Sequence, residues 1–67
     1  MKAIVRYKDE KGTRRQKTIV VNNNEPNDIL TNFLKATRLP RYTWVTTIKC
    51  GRYEYQWNGV AKEAWWR

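Results

Sequence analysis

Asp9-Glu10-Lys11-Gly12 lies between KAIVRYK over residues 2–8, which alternates with a period of two, and TRRQKTIVV over residues 13–21. Alternation of this kind marks a half-buried strand. A type I turn that starts at Asp9 and puts Gly12 in the left-handed position closes a tight hairpin between the two runs. Pairing Asp9 with Thr13 sets Ala3 opposite Ile19 and Val5 opposite Lys17. Ala3, Val5, Ile19 and Val21 then share one face, and Arg6, Lys8, Arg14 and Gln16 share the other with Ile4, Thr18 and Val20. The hairpin is expected to carry a basic outer face and a basic tip.

The next segment, NNNEP, breaks the alternation, and Asn24 is the expected N-cap of a helix with Pro26 in its first turn. Asp28 suits the positive end of that helix. Ile29, Leu30, Phe33 and Leu34 form one apolar stripe along it, and Pro40 stops it around Arg38 or Leu39. Residues 42–50, YTWVTTIKC, and the following RYEYQWN are rich in β-branched and aromatic types and read as two more strands. With Cys50 and Gly51 as their loop, Ile48 faces Tyr53, Thr46 faces Tyr55 and Trp44 faces Trp57. Val45 is then the one apolar member of the opposite, polar face. Asn58-Gly59 is the favoured pair for a type I′ turn, which predicts a fifth short strand from Val60; AKEAWWR also has the propensity for a terminal helical turn. The order ββαββ(β) predicts an α+β domain, a small antiparallel sheet of four to five strands with one helix across one face, spanning residues 1–67.

A domain of 67 residues buries only about 60% of the surface its unfolded chain exposes. One cysteine and no histidine leave no internal disulfide and no structural metal to compensate, so neither metal nor cofactor is expected. Four tryptophans, four tyrosines and a phenylalanine supply the buried area instead. The helix stripe needs an apolar partner, and Trp44, Tyr53, Tyr55 and Trp57 are expected to provide it as core rather than as an exposed stacking platform. Adjacent strand residues point to opposite faces, so at least one of Trp65 and Trp66 is expected to be partly exposed, near Lys49, Arg52 or Arg67.

Fourteen Lys and Arg against six Asp and Glu give a net charge of +8. That balance favours a polyanion or an acidic protein surface as partner. The run MKAIVRYKDE is too short in apolar residues for a secretory signal, nothing approaches a membrane span, and a lone thiol suits a reducing cytoplasm. Without His or Ser, the triads and dyads of nucleophilic catalysis are missing, and the three glycines make no phosphate-cradling loop, so an enzyme is not expected. The expected function is nucleic-acid binding. Arg6, Lys8, Lys11, Arg14, Arg15, Lys17, Lys49 and Arg52 would grip phosphates or an acidic surface, with Trp65 or Trp66 adding contact. In its compact ββαββ outline, size and charge, the chain also resembles small phage-encoded proteins, including some anti-CRISPR proteins. This resemblance is carried by architecture and not by a motif. It implies the alternative of a phage- or mobile-element-encoded inhibitor of a host nucleic-acid-handling complex, and assigns no residue.

Overall fold

The computed structural model describes residues 1–61. It contains β1 (Lys2–Lys8), β2 (Arg14–Val20), α1 (Pro26–Thr37), β3 (Trp44–Cys50) and β4 (Tyr53–Val60). The four strands form one antiparallel sheet in the order β2-β1-β3-β4, an α+β fold in the expected element order. Because β2 and β3 both run antiparallel to β1, the connection through α1 crosses over β1, and the helix packs against β1 and β2. No helix of the described residues is long and apolar enough to cross a membrane.

The first hairpin forms in the anticipated register, with Ala3 opposite Ile19 and Val5 opposite Lys17. Its turn is built as the residue types require. The Gly12 amide donates to the Asp9 carbonyl at 2.9 Å, Gly12 has φ +79°, and the Asp9 amide donates to the Thr13 carbonyl at 3.0 Å. The helix start differs by one residue. Glu25, not Asn24, is the N-cap, and it makes no side-chain capping bond. Asn23 does the organising: its Oδ1 accepts the Glu25 amide at 2.9 Å and its Nδ2 donates to Asp28 at 3.1 Å. Pro26 then occupies the first helical position, where its missing N–H costs nothing. Arg38 ends the helix in the left-handed conformation at φ 58°, its amide donating to the Leu34 carbonyl.

The second hairpin departs from expectation in register and in facing. Its loop is Gly51-Arg52 rather than Cys50-Gly51. Cys50 stays in the strand opposite Tyr53, which keeps its thiol in the core, and Gly51 takes the turn at φ +61°, where a side chain would be strained. Ile48 therefore pairs with Tyr55 and Thr47 with Gln56. Further along, β3 carries a bulge at Thr46. Thr47 pairs with Arg6, yet Val45 already pairs with Tyr7. Val45 and Ile48 are three residues apart and cannot face one side of a regular strand. The extra residue lets both enter the core, each with no exposed surface. Thr46 Oγ1 donates to the Arg6 carbonyl at 3.1 Å across the irregular pairing. The consequence is a correction: Val45 is buried and Trp44 faces outward.

Asn58-Gly59 is likewise not a hairpin turn. Both residues lie within β4, where Asn58 takes a positive φ of 47° at the irregular stretch and Gly59 pairs with Val45. Val60, where a fifth strand was expected to begin, is instead the last residue of β4, and residues 62–67, which hold the rest of that strand or the alternative helical turn, lie outside the described residues.

The core occupies the face of the sheet beneath α1. Ile29, Leu30 and Phe33 from the helix meet Ala3, Val5, Ile19, Val45, Ile48 and Cys50 from the strands. Of the four aromatics expected there, Tyr55 and Trp57 pack against the cluster, whereas Tyr53 and Trp44 are exposed. Both core-side aromatics place their polar ends: Tyr55 Oη donates to the Asn24 carbonyl at 3.0 Å, and Trp57 Nε1 to the Val60 carbonyl at 2.8 Å. Tyr7 packs its ring against Phe33 with centroids 5.0 Å apart.

Candidate nucleic-acid interface

Strand alternation divides the basic residues of the first hairpin between the two sides of the sheet. On the side of α1, Arg15 stands opposite Tyr7 and Lys17 opposite Val5, both exposed at the edge strand β2. On the other side, cross-strand pairing arranges side chains in rows. One row runs Arg14, Lys8, Trp44, Val60; the next runs Gln16, Arg6, Thr47, Gln56; a third runs Thr18, Ile4, Lys49, Glu54. Among the described residues no element covers this face.

Its electrostatics are one-sided. Arg6, Lys8, Arg14 and Lys49 are exposed, and Lys2 joins them further along β1. Glu54 is the one acid in these rows, opposite Lys49. Among the described residues the one ion pair is on the other side: Arg15 Nε donates to Asp9 Oδ2 at 2.8 Å. Arg15 is thus partly neutralised, while Arg6, Lys8 and Arg14 meet no acid among the described residues.

Asp9 also holds the hairpin tip together. Its Oδ1 accepts the amides of Lys11 and Thr13, both at 2.9 Å, which locks the turn that presents Lys8 and Arg14. The hydrogen bond from Arg15 is the chief reason the Asp9 carboxyl is held below its ordinary range, with the Thr13 and Lys11 amides adding to it. A carboxyl whose folded value is lowered stabilises the fold above its unfolded value and loses that contribution as pH falls through the folded one. Asp9→Asn is therefore expected to remove part of the loss of hairpin stability predicted on acidification below about pH 4, the unfolded carboxyl value. Amide hydrogen exchange at Lys11 and Thr13, followed against pH in both proteins, measures this; an unchanged pH profile in the variant would refute it.

The side chains singled out from sequence are only partly gathered. Arg6, Lys8 and Arg14 share one surface, with Lys11 at its rim on the tip and Lys49 one row beyond Arg6. Arg15 and Lys17 belong to the opposite side. Arg52 sits in the Gly51-Arg52 loop at the far end of the sheet, roughly 20 Å from Lys8 at the rise of an extended strand. Trp65 and Trp66 lie outside the described residues.

The residue missed from sequence is Trp44. It is 44% exposed and stands beside Lys8 in the outer row. The available signal was the spacing of Val45 and Ile48, since two β-branched residues three apart in a strand can both be buried only through a bulge. With Arg6, Lys8, Arg14 and Thr47, Trp44 lines a concavity of about 770 Å³ on the open face. It also lines a second, of about 550 Å³, between the hairpin tip and Leu39, Pro40 and Thr43.

Among the described residues no group of three His, Cys, Asp or Glu side chains comes together that could hold a metal ion. Cys50 is buried, with its Sγ 3.4 Å from the Met1 sulfur, in the position of a small core residue. The surface therefore offers charge, hydrogen-bond donors and one large aromatic. No protein-family model, curated protein or solved structure matches the chain.

Proposed function

We propose that this is a small nucleic-acid-binding protein, a binding module rather than an enzyme, that works in the cytoplasm and grips a phosphate backbone with the open face of its sheet. The observation that carries the reading is the set Arg6, Lys8 and Arg14, exposed on adjacent strands of one uncovered face and paired with no acid among the described residues. Guanidinium and ammonium groups held on a sheet lose little freedom of the backbone on binding, and a polyanion releases its counterions to them. Lys11 at the tip and Lys49 in the third row extend the positive track.

The test is fluorescence anisotropy of labelled single-stranded DNA, duplex DNA and structured RNA titrated with the protein. Three to five phosphate contacts are expected to give a log-log salt slope of roughly −2 to −4.5 between about 50 and 200 mM salt. Binding that is indifferent to salt, or absent at the low end, would overturn the reading. An acidic surface on a protein, as the inhibitor alternative implies, would then be the partner to seek.

A further inference from the structure

We propose that the open face takes single-stranded nucleic acid, with an unpaired base stacked on Trp44 and the phosphates that follow it towards β2 held by Lys8 and Arg14. This rests on the nucleic-acid reading and narrows it to one class of polymer. Three observations support it.

The first is the position of the indole. A tryptophan in a sheet of so small a domain is worth most when buried, yet the bulge at Thr46 brings Val45 into the core and leaves Trp44 44% exposed among cations. Trp44 lines both concavities of this end of the sheet, together with Lys8 and Arg15. One is walled by Leu39, Pro40 and Tyr42, where a planar base finds apolar contact, and by the hairpin tip with Asp9, Glu10 and Lys11; the other is walled by Arg6 and Arg14, where its phosphates find charge.

The second is spacing. Trp44, Lys8 and Arg14 are successive members of one row, on neighbouring strands about 5 Å apart. Both cations lie on the β1–β2 side of the indole, at about 5 and 10 Å along the row, so a base lying on Trp44 has ammonium and guanidinium groups within reach of the successive phosphates of a strand that runs along the row towards β2. Stacking of this kind tolerates any sequence, because every base has a π face.

The third is shape, which disfavours a duplex. Four strands at about 4.8 Å span roughly 15 Å between the outer strand axes, wider than a B-DNA major groove of about 12 Å that admits a two-stranded ribbon. A duplex keeps the faces of its bases inside the stack, so it could meet this surface only through phosphates. It would gain nothing from Trp44.

The deciding experiment compares wild type, Trp44→Ala, Trp44→Phe and the double variant Arg6→Glu with Arg14→Glu, each titrated against a labelled oligothymidine of about 12 nucleotides, within the usual single-strand site sizes, and a duplex of the same length. Circular dichroism confirms that each variant is folded. Trp44→Ala is expected to weaken single-strand binding roughly 5- to 160-fold, the range measured for removing one base–aromatic stack, and to leave duplex binding within about 2-fold. Trp44→Phe, which keeps a π face, should retain most of the affinity. If Trp44→Ala changes neither polymer, or both equally, while the double arginine variant weakens binding more than about 10-fold, stacking is overturned and the nucleic-acid reading stands. If wild type binds neither polymer, both fall, and an acidic protein surface becomes the partner to test.

Discussion

Reversal of Arg6 and Arg14 to glutamate is expected to weaken nucleic-acid binding roughly 25-fold for a single strand and 60-fold for a duplex at about 0.1 M salt. The magnitude follows from counterion release. Each phosphate contact contributes about 0.7 log unit per decade of salt on a single strand and about 0.9 on a duplex, so two lost contacts remove 1.4 or 1.8 log units relative to about 1 M salt. The log-log slope should fall by the same amounts, and repulsion from the new carboxylates adds to the loss. The control carries an identical change of net charge on the other side of the molecule. Lys17 is exposed beside Val5 on the helix side of β2, and Lys35 is exposed in the last turn of α1. If Lys17→Glu with Lys35→Glu costs as much affinity as the Arg6 and Arg14 pair, total charge governs binding and the open face is not the site. This comparison is more decisive than reversing Arg14 with Arg15, because Arg15 faces the helix side and is tied to Asp9 at 2.8 Å.

Phe33→Ala should remove about a third or more of the protein's stability. Phe33 has no exposed surface, lies in the centre of the helix stripe and meets the Tyr7 ring at 5.0 Å. Truncating a buried phenylalanine costs about 3–5 kcal/mol in lost transfer energy and cavity formation. A domain of this length has a total stability of only about 3–10 kcal/mol, and no disulfide crosslinks it, since Cys50 is free. Thermal unfolding followed by circular dichroism should show a midpoint lowered by more than about 12 °C, or no cooperative transition at all. A fall under about 5 °C would mean that Phe33 is not central to the core. Phe33→Leu, which keeps most of the volume, should retain a cooperative transition.

Most of the fold was legible because local rules and global packing agree over most of the chain. The first hairpin could be read residue by residue: its alternation, the Asp9 turn and the glycine at positive φ all specify one register, and a slip of one residue would turn Val5 and Ile19 to solvent. The helix could be read from its stripe and its prolines. The cap falls at Glu25, one residue after Asn24, because it is Asn23 that accepts the Glu25 amide and bonds Asp28; Asn22, Asn23 and Asn24 are alike in propensity, so only this geometry distinguishes them.

The second hairpin was legible as a pair of strands but not in register. Strict alternation puts Trp44, Thr46 and Ile48 on one face, and that reading gives a plausible apolar surface. It fails because it leaves Val45 outside and Cys50 in the turn. The protein instead inserts Thr46 as an extra residue and starts the loop at Gly51, which buries Val45, Ile48 and Cys50 together. A bulge changes the phase of a strand without changing its composition, so no count of period two reveals it. Asn58-Gly59 misled for a related reason: the pair can supply a positive φ to a turn or to an irregularity within a strand, and here Asn58 does so within β4.

The amino-acid sequence by itself determined the element order, the facing of the first hairpin, the apolar stripe of α1 and the excess of positive charge, because each depends on residues close together in the chain. Only the tertiary structure decided which charges act together. Neighbours in sequence, Arg14 and Arg15, were separated onto opposite sides of the sheet, while Lys8 and Trp44, thirty-six positions apart, were set side by side by the pairing of β1 with β3. That grouping depends on cross-strand register, and register in β3 was settled by the competition of Val45 and Trp44 for one place in the core.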